Sequence, residues 1–311
     1  MHQTYGNMDA FGGFEVVQWV PGDPLGDPAR QIHRLSTDYN GELSWADLLG
    51  AYLQQPGVER MAGLVVGYWS TDILIESNPV EQMVTPLLAA APQLRDLRVL
   101  FINDIASEES EVSWIENTDL GGVLRAFPQL VHVGVRGGNN LRLSDLALPE
   151  VRTLVIESGG VTSELVRDVM QADLPNLEHL EVYLGTEEYG ATSTIEDVTP
   201  ILDGTRFPKL RYLGLKNSDH QDQLAQVLVT APVVARLEVL DLSMGVLTDE
   251  GGRALLQSGT LGHLRKLDLN FNWLSDAMVE ELQAWADAHG VELDVDEQQD
   301  DDDWRYVALG E

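Results

Sequence analysis

The stretch LEVLDLSMGVLTDEGGRALL occupies residues 237–256, and a similar stretch, LRKLDLNFNWLSDAMVEELQ, occupies residues 264–283. Each starts with the pattern L-x-x-L-x-L, and the two starts are 27 residues apart. The alternating start predicts a short strand, and the amphipathic residues that follow predict a helix. The repetition in register indicates that this part of the chain is built from copies of one strand–turn–helix unit.

Earlier and later copies of the pattern extend the repeat along most of the chain. Successive starts are 21 to 36 residues apart, and the last three spacings are 27, 27 and 26 residues. A unit of this size is too small to bury its apolar face alone, so stacked units must share a core. The nine starts are Met61, Leu97, Leu130, Val151, Leu177, Leu210, Leu237, Leu264 and Gly290.

This combination of period and pattern is the signature of the leucine-rich repeat. It predicts an α/β fold, a leucine-rich repeat solenoid with a curved parallel sheet inside and helices outside. A doubly wound α/β domain also alternates strands with helices. The leucine triplets recur in register, however, and this favours the solenoid.

Several stretches resemble a bacterial family of cytoplasmic leucine-rich repeat proteins. They are IASEESEVSWIENTD from Ile105, VRTLVIESGG from Val151, APVVARLEVLDLSMGVLTDEG from Ala231 and DDDDWRYVALGE from Asp300. The repeats also resemble the ribonuclease-inhibitor type. The resemblance implies the solenoid fold and no assigned reaction. This chain departs from the type at the ninth repeat position, where only Asn272 supplies the usual asparagine.

The repeat pattern divides the chain into three predicted parts. Residues 1–59 form an N-terminal α+β cap, with strands at FEVVQWV and RQIHRLS and a helix that Ser44 caps. Residues 60–296 form the solenoid, with about nine strand units. Residues 297–311 form an acidic loop followed by WRYVAL, which we expect to fold back on the last strand and cap it.

Charge and composition exclude several classes of partner. The chain has 51 acidic and 19 basic residues, a formal charge of −32, and no cysteine. Such a surface repels nucleic acid and anionic membranes, so neither is an expected partner. The sequence has no apolar run long enough to span a membrane and begins without the features of a secretory signal. We therefore expect a cytoplasmic protein.

The sequence contains no motif that predicts catalysis. It has no phosphate-binding glycine loop, no zinc-protease motif and no serine elbow. The seven histidines are not spaced as a metal-binding pair on one helix face. No catalytic residue, metal or cofactor is therefore predicted, and the protein is not expected to be an enzyme.

The third, fifth and seventh residues of each repeat should point to the open inner face of the sheet, because strand side chains alternate. These positions are small or apolar in the first units, mixed in the middle units and acidic in the last. Two units of 33 residues carry acidic loops after the strand, which include Trp114 and Tyr189. The predicted partner-binding residues are His132, Arg136, Glu157, His179, Glu181, Tyr183, Tyr212, Lys216, Trp114 and Tyr189.

These observations favour a non-catalytic protein–protein interaction module that holds a partner with the concave sheet and the long edge loops. The acidic charge predicts a protein partner with a basic patch. One alternative is an accessory subunit of an enzyme system that presents its acidic loops. Another is an acid–base enzyme that uses Glu157, Glu181 and His179 on the inner face.

Overall fold

The computed structural model describes residues 6–37, 43–69, 80–300 and 304–310. Within these ranges twelve strands form one sheet whose spatial order is the order of the chain. The strands are β1 Ala10–Phe11, β2 Phe14–Gln18, β3 Gln31–Leu35, β4 Gly63–Val66, β5 Val99–Ile102, β6 His132–Arg136, β7 Thr153–Glu157, β8 His179–Gly185, β9 Tyr212–Ser218, β10 Val239–Asp241, β11 Lys266–Asp268 and β12 Glu292–Asp294.

Helices connect most of the parallel strands. The five helices that follow β7 to β11 pack side by side in chain order, and the 3₁₀ turn Pro232–Arg236 also packs against the helix that follows β8. No helix in the described ranges is both long and apolar enough to cross a membrane. The helices are α1 Trp45–Leu53, α2 Glu81–Ala90, α3 Gly121–Arg125, α4 Ser163–Gln171, α5 Ile195–Leu202, α6 Gln221–Leu228, α7 Asp249–Gln257 and α8 Asp276–His289.

The nine predicted repeat strands are β4 to β12. All of them pair in parallel and in register, so that Leu240, for example, lies between Leu213 and Leu267. These three leucines are fully buried. The alternating pattern thus places one row of side chains in a continuous core, and the opposite row on what we call the inner face. The prediction of a leucine-rich repeat solenoid is confirmed.

Local signals set the ends of the elements. The hydroxyl of Ser44 accepts a hydrogen bond from the Asp47 amide, as predicted, and Thr162 and Ser275 cap α4 and α8 in the same way. The turn after the strand is tight both in the unit that has the ninth-position asparagine, Asn272, and in four units that lack it. Its eighth residue has a positive φ in five units, at Gly137, Asn217, Met244, Phe271 and Glu297.

The N-terminal part extends the sheet. β2 and β3 form the expected strand pair, and β3 pairs in parallel with β4, so the sheet passes without a break into the repeats. The sequence Phe11-Gly12-Gly13-Phe14 adds a hairpin that was not predicted. Phe11 pairs with Phe14, and both glycines have the positive φ that a tight two-residue hairpin turn requires.

The C-terminal residues 304–310, here called the C-terminal strap, fold back along a different path from the one expected. The backbone of Ala308 donates to Met244 O at 2.9 Å, and that of Leu309 donates to Asn217 Oδ1 at 2.8 Å. The strap therefore lies over the end of β9 and over the turns that follow β10 and β11, rather than over β12. Asp301, Asp302 and Asp303 of the predicted acidic loop lie outside the described residues.

Candidate functional site

Residues 6–13, here called the N-terminal arm, lie on the first third of the inner face. Met8 and Phe11 pack on Val99 and Phe101, and the Phe11 and Phe101 rings meet edge to face at 5.2 Å. The apolar start of the inner face is real but is covered by the chain itself. A partner therefore has less of this face available than the repeat pattern implies.

The C-terminal strap covers the edge of the inner face at which strands β8 to β11 end. Ala308 and Leu309 pack with Tyr183, Met244 and Phe271 in one apolar cluster. The strap comes so close to the turn after β7 that a side chain at Gly159 would lie 2.9 Å from the Gly310 carbonyl. Arm and strap together leave the inner-face side chains of β6, β7, β8 and β9 between them, here called the middle band.

Aromatic and hydroxyl groups organise the half-buried surface of the middle band. The rings of His179 and Tyr212 stack with centroids 3.7 Å apart and planes within 10°. One strand pair away, His132 Nδ1 lies 3.0 Å from Thr153 Oγ1. Burial lowers the pKa of His132, and the neighbouring His179 lowers it further. His132 is therefore neutral at neutral pH.

Glu181 is held at the centre of the middle band. Its Oε2 lies 3.1 Å from His179 Nε2, and its Oε1 accepts from Lys216 Nζ, also at 3.1 Å. Burial raises the pKa of Glu181, but the hydrogen bond from His179 and the charge of Lys216 outweigh it and hold the pKa at about 2. Lys216 also pairs with Asp241 at 3.3 Å, and Tyr212 donates its hydroxyl to the same carboxylate at 2.5 Å.

A second network joins the middle band to the arm. Arg136 donates to Glu157 Oε2 at 2.7 Å and pairs with Asp104 at 3.4 Å, while its side chain is only 3% exposed. Arg34 and the Met8 amide also bond to Asp104, each at 3.2 Å. Burial raises the pKa of Glu157, although Arg136 opposes the shift. A buried pair of this kind fixes geometry more than it adds stability.

A groove of about 470 Å³ lies between the N-terminal arm and the middle band. The arm supplies one wall through Phe11 and Gly12, and Phe101 and Val155 continue the apolar lining. The polar lining residues are His132, Thr153, Glu157, His179 and Glu181, and His132 lies close to Gly12 of the arm.

Beyond β9 the inner face is acidic, as predicted. Lys266 bridges Asp268 at 2.8 Å and Asp294 at 3.3 Å. Burial raises the pKa of Asp268, and the charge of Asp241 raises it further. Among the described residues, no group of three or more histidine, aspartate or glutamate side chains is placed to hold a metal ion.

The two long loops follow β5 and β8, and they differ in their exposure to solvent. Trp114 in the first is 61% exposed, and nearby Val112 packs in the same cluster as Tyr183 and Leu309. Tyr189 in the second is half-buried, and its ring lies against Gly310. The first loop therefore packs through Val112 in the cluster that contains Tyr183 and exposes Trp114 to solvent, whereas the tyrosine of the second loop contacts the strap.

The structure brings most of the predicted partner-binding residues together. His132, Glu157, His179, Glu181 and Tyr212 are half-buried on the middle band. The remaining positions differ: Arg136 and Tyr183 are buried, Lys216 is held in the ion-pair network, Tyr189 lies at the strap and Trp114 lies on the edge.

Three contributing residues were not predicted. Phe11 forms a wall of the groove, Asp104 anchors Arg136, and Asp241 binds Tyr212 and Lys216. Two glycines between phenylalanines are a hairpin signal that could have identified the arm. Asp104 is the eighth residue of its repeat, a position that the pattern does not assign to the inner face, and no sequence signal marks it.

Comparison with known proteins places the chain in a family. No protein-family model and no curated protein sequence matches it. A Bacteroides fragilis protein with a known crystal structure is 31% identical, with a TM-score of 0.77 over 85% of this chain and 72% of that one. An internalin from Listeria monocytogenes is 13% identical over 88% and 74%, with a TM-score of 0.35 that is too low to support an argument. The chain belongs to the same protein family as the Bacteroides fragilis protein.

Proposed function

We propose that this protein is a non-catalytic interaction module that binds a protein partner through the middle band and the first long loop. The observation that carries the proposal is that Trp114 of the first long loop is 61% exposed, while His179 and Tyr212 form a half-buried aromatic stack on the middle band. Aromatic side chains that are partly exposed on a rigid support are the residue type that dominates interface energetics. The solenoid fold supports this function because its open face is an extended binding surface.

The side chains of the middle band are ordered before any partner arrives. Tyr212 is fixed by the stack with His179 and by its hydrogen bond to Asp241, and Lys216 is fixed between two carboxylates. Ordering a long side chain on binding costs about 0.5–1.5 kcal/mol. A surface whose side chains are already held in place avoids much of that cost.

The charge of the inner face supports a partner with a basic patch. The ion pairs of the described inner face join four cations to six carboxylates, which leaves an excess of negative charge. The net charge of the whole chain, −32, acts in the same direction. Charge complementarity of this kind speeds the encounter and selects the partner. The participating groups are Arg34, Arg136, Lys216, Lys266, Asp104, Glu157, Glu181, Asp241, Asp268 and Asp294.

Two properties of the middle band favour binding over acid–base catalysis. Glu181, with a pKa of about 2, is a weak base, and both of its oxygens already bind cationic or histidine groups. Burial and the neighbouring carboxylates raise the pKa of Tyr212, which makes it a weak acid. General acid–base catalysis is most efficient when the pKa lies near the working pH.

The test is to identify a partner by affinity purification and mass spectrometry, and then to measure its affinity for purified variants by calorimetry. Trp114→Ala and Tyr212→Ala should each weaken binding at least about tenfold, as truncation of interface anchors does. Leu88→Ala is the control, because Leu88 is a 40% exposed apolar residue on helix α2. Wild-type affinity in both test variants would refute the proposal.

A further inference from the structure

The groove beside the N-terminal arm combines apolar and acidic side chains. Phe11, Phe101 and Val155 are apolar lining residues, Glu157 and Glu181 are acidic ones, and Val155 lies opposite Glu181 on the neighbouring strand. Its volume of about 470 Å³ is in the lower range of sites that enclose a ligand group. This lining suits a side chain with an apolar stem and a charged tip.

The two carboxylates retain the capacity to bind a further donor. Each of their side chains is 14% exposed. Glu157 accepts from Arg136 through Oε2, and among the described residues no partner bonds to its Oε1. Each oxygen of an ionised carboxylate can accept two hydrogen bonds, so the two bonded oxygens of Glu181 are not saturated either.

Arg136 and Lys216 pair with these two carboxylates, but the same networks also contain Asp104 and Asp241. With Arg34 included, three cations face four carboxylates, so a negative charge remains. Burial lowers the pKa of His132, so its ring is neutral at neutral pH. An anion would be repelled by Glu157 and Glu181. An apolar group placed against them would exclude water from the carboxylates without supplying a further hydrogen-bond donor.

An internal arginine already shows the kind of contact that the groove offers. The guanidinium of Arg136 lies 5.9 Å from the centroid of the Phe101 ring while it pairs with Glu157. An aromatic face combined with a carboxylate is a favourable setting for a guanidinium or an ammonium group. A second cation that enters from the solvent side would meet Phe11 and the Oε1 oxygen of the same Glu157.

We infer that this groove receives a basic side chain, an arginine or lysine of the protein partner, with its charged group at Glu157 and Glu181 and its stem against Phe11 and Val155. The inference rests on the proposed function, because it assigns the cation to a protein. Arginine and lysine both have apolar stems that pack on such a wall while the charged tip reaches the carboxylates.

The direct test uses the full chain and N-acetyl-arginine methylamide as the probe. Binding is followed by NMR of the His132 and His179 ring signals, with the uncharged N-acetyl-citrulline methylamide as the matched probe. We expect the arginine probe to shift both signals and to bind at least about tenfold more tightly than the citrulline probe, since citrulline lacks the charge. Equal shifts with the two probes, or no shift up to the solubility limit, would overturn the inference.

Two variants then test the carboxylate charge and the width of the groove separately. Glu157→Gln keeps the shape, and Val155→Leu narrows the groove without touching either carboxylate; each should weaken the arginine probe about tenfold or more. Glu238→Gln, which alters a 59% exposed carboxylate on a flank of the sheet, is the control and should bind as wild type. Wild-type probe binding in Val155→Leu, a variant that keeps all the charges, would overturn the assignment even if Glu157→Gln did not fold.

The same variants distinguish this inference from the proposed function. If a purified partner loses affinity with Trp114→Ala but not with Glu157→Gln, the interaction function stands and the groove assignment is wrong. If the arginine probe also displaces the partner, both are supported. If the probe binds but no protein partner is found, the proposed function fails, and the assignment of the cation to a protein fails with it.

Discussion

The substitution Asn217→Ala should release the C-terminal strap. Asn217 is fully buried, its Nδ2 donates to Leu309 O at 2.5 Å, and its Oδ1 accepts from Leu309 N at 2.8 Å. Each of these hydrogen bonds contributes about 1 kcal/mol. Asn217 also has a φ of 55°, a conformation that costs alanine about 1 kcal/mol more.

The expected loss is therefore about 3 kcal/mol in the free energy of unfolding, or a fall in Tm of about 6 °C for a chain of this size. The effect should depend on the strap. In a chain that lacks residues 304–311, the same substitution should cost only the conformational part, about 1 kcal/mol. Thermal and urea denaturation, followed by circular dichroism, would measure the stability of four proteins. These are the full chain and the chain that lacks residues 304–311, each with and without Asn217→Ala.

The matched control is Asn140→Ala. Asn140 has a nearly identical φ of 54° but is exposed and bonds to Glu116 rather than to the strap. Its cost should be about 1 kcal/mol with or without residues 304–311. Equal costs for Asn217→Ala in the full and shortened chains would refute the view that this residue anchors the strap.

Three other parts of the molecule give further predictions. The pKa of Glu181 is depressed from 4.5 to about 2, so its contribution to stability should be lost as pH falls through that window, and Glu181→Gln should flatten the acid limb of the stability profile. Glu108→Lys with Glu111→Lys should reduce the fall of the association rate with salt in stopped-flow measurements. Gly134→Ala would place a methyl group 2.2 Å from the buried Phe101 ring and should cost about 1–3 kcal/mol in thermal denaturation.

Two of these predictions have a control variant in the same chain, and the choice of residues in the third follows from the loop structure. Glu238→Gln removes an exposed carboxylate and should leave the acid limb as steep as in the wild type. Glu109 is left unchanged in the salt experiment because its Oε2 accepts from the Ala106 amide and supports the loop. Gly122→Ala, where a methyl group meets no atom within 4 Å, should not destabilise the protein. A loss at Gly122 equal to that at Gly134 would contradict the steric argument.

Repetition made the solenoid predictable. The L-x-x-L-x-L starts located all nine strands from β4 to β12, because each unit must bury the same row of side chains between its neighbours. The cap of α1 was equally accessible, since Ser44 and Asp47 form a local signal with a local cause. Features that recur in every unit, or that depend on a few adjacent residues, can be predicted from the sequence.

The N-terminal arm and the C-terminal strap were harder to predict, because each occurs once and contacts residues that are distant in the sequence. The Met8 amide bonds to Asp104, and Leu309 bonds to Asn217, across separations of 96 and 92 residues. Neither contact belongs to the repeat. The sequence indicated an apolar start of the inner face. It placed the C-terminal segment on the last strand, whereas the strap bonds to Asn217 and Met244, and it could not show that arm and strap meet the same face.

The N-terminal arm and the C-terminal strap limit the area of the inner face that a partner can contact. Four neighbouring strands span about 19 Å and five residues of strand about 17 Å, so the middle band presents about 320 Å² before side-chain relief is counted. A stable interface buries about 800 Å² on each partner. More than half of the contact must therefore come from outside the band, and the first long loop lies beside it with Trp114 exposed. For this reason Trp114→Ala should weaken partner binding more than Tyr212→Ala, and the reverse order of affinities would indicate that the inner face is the main contact.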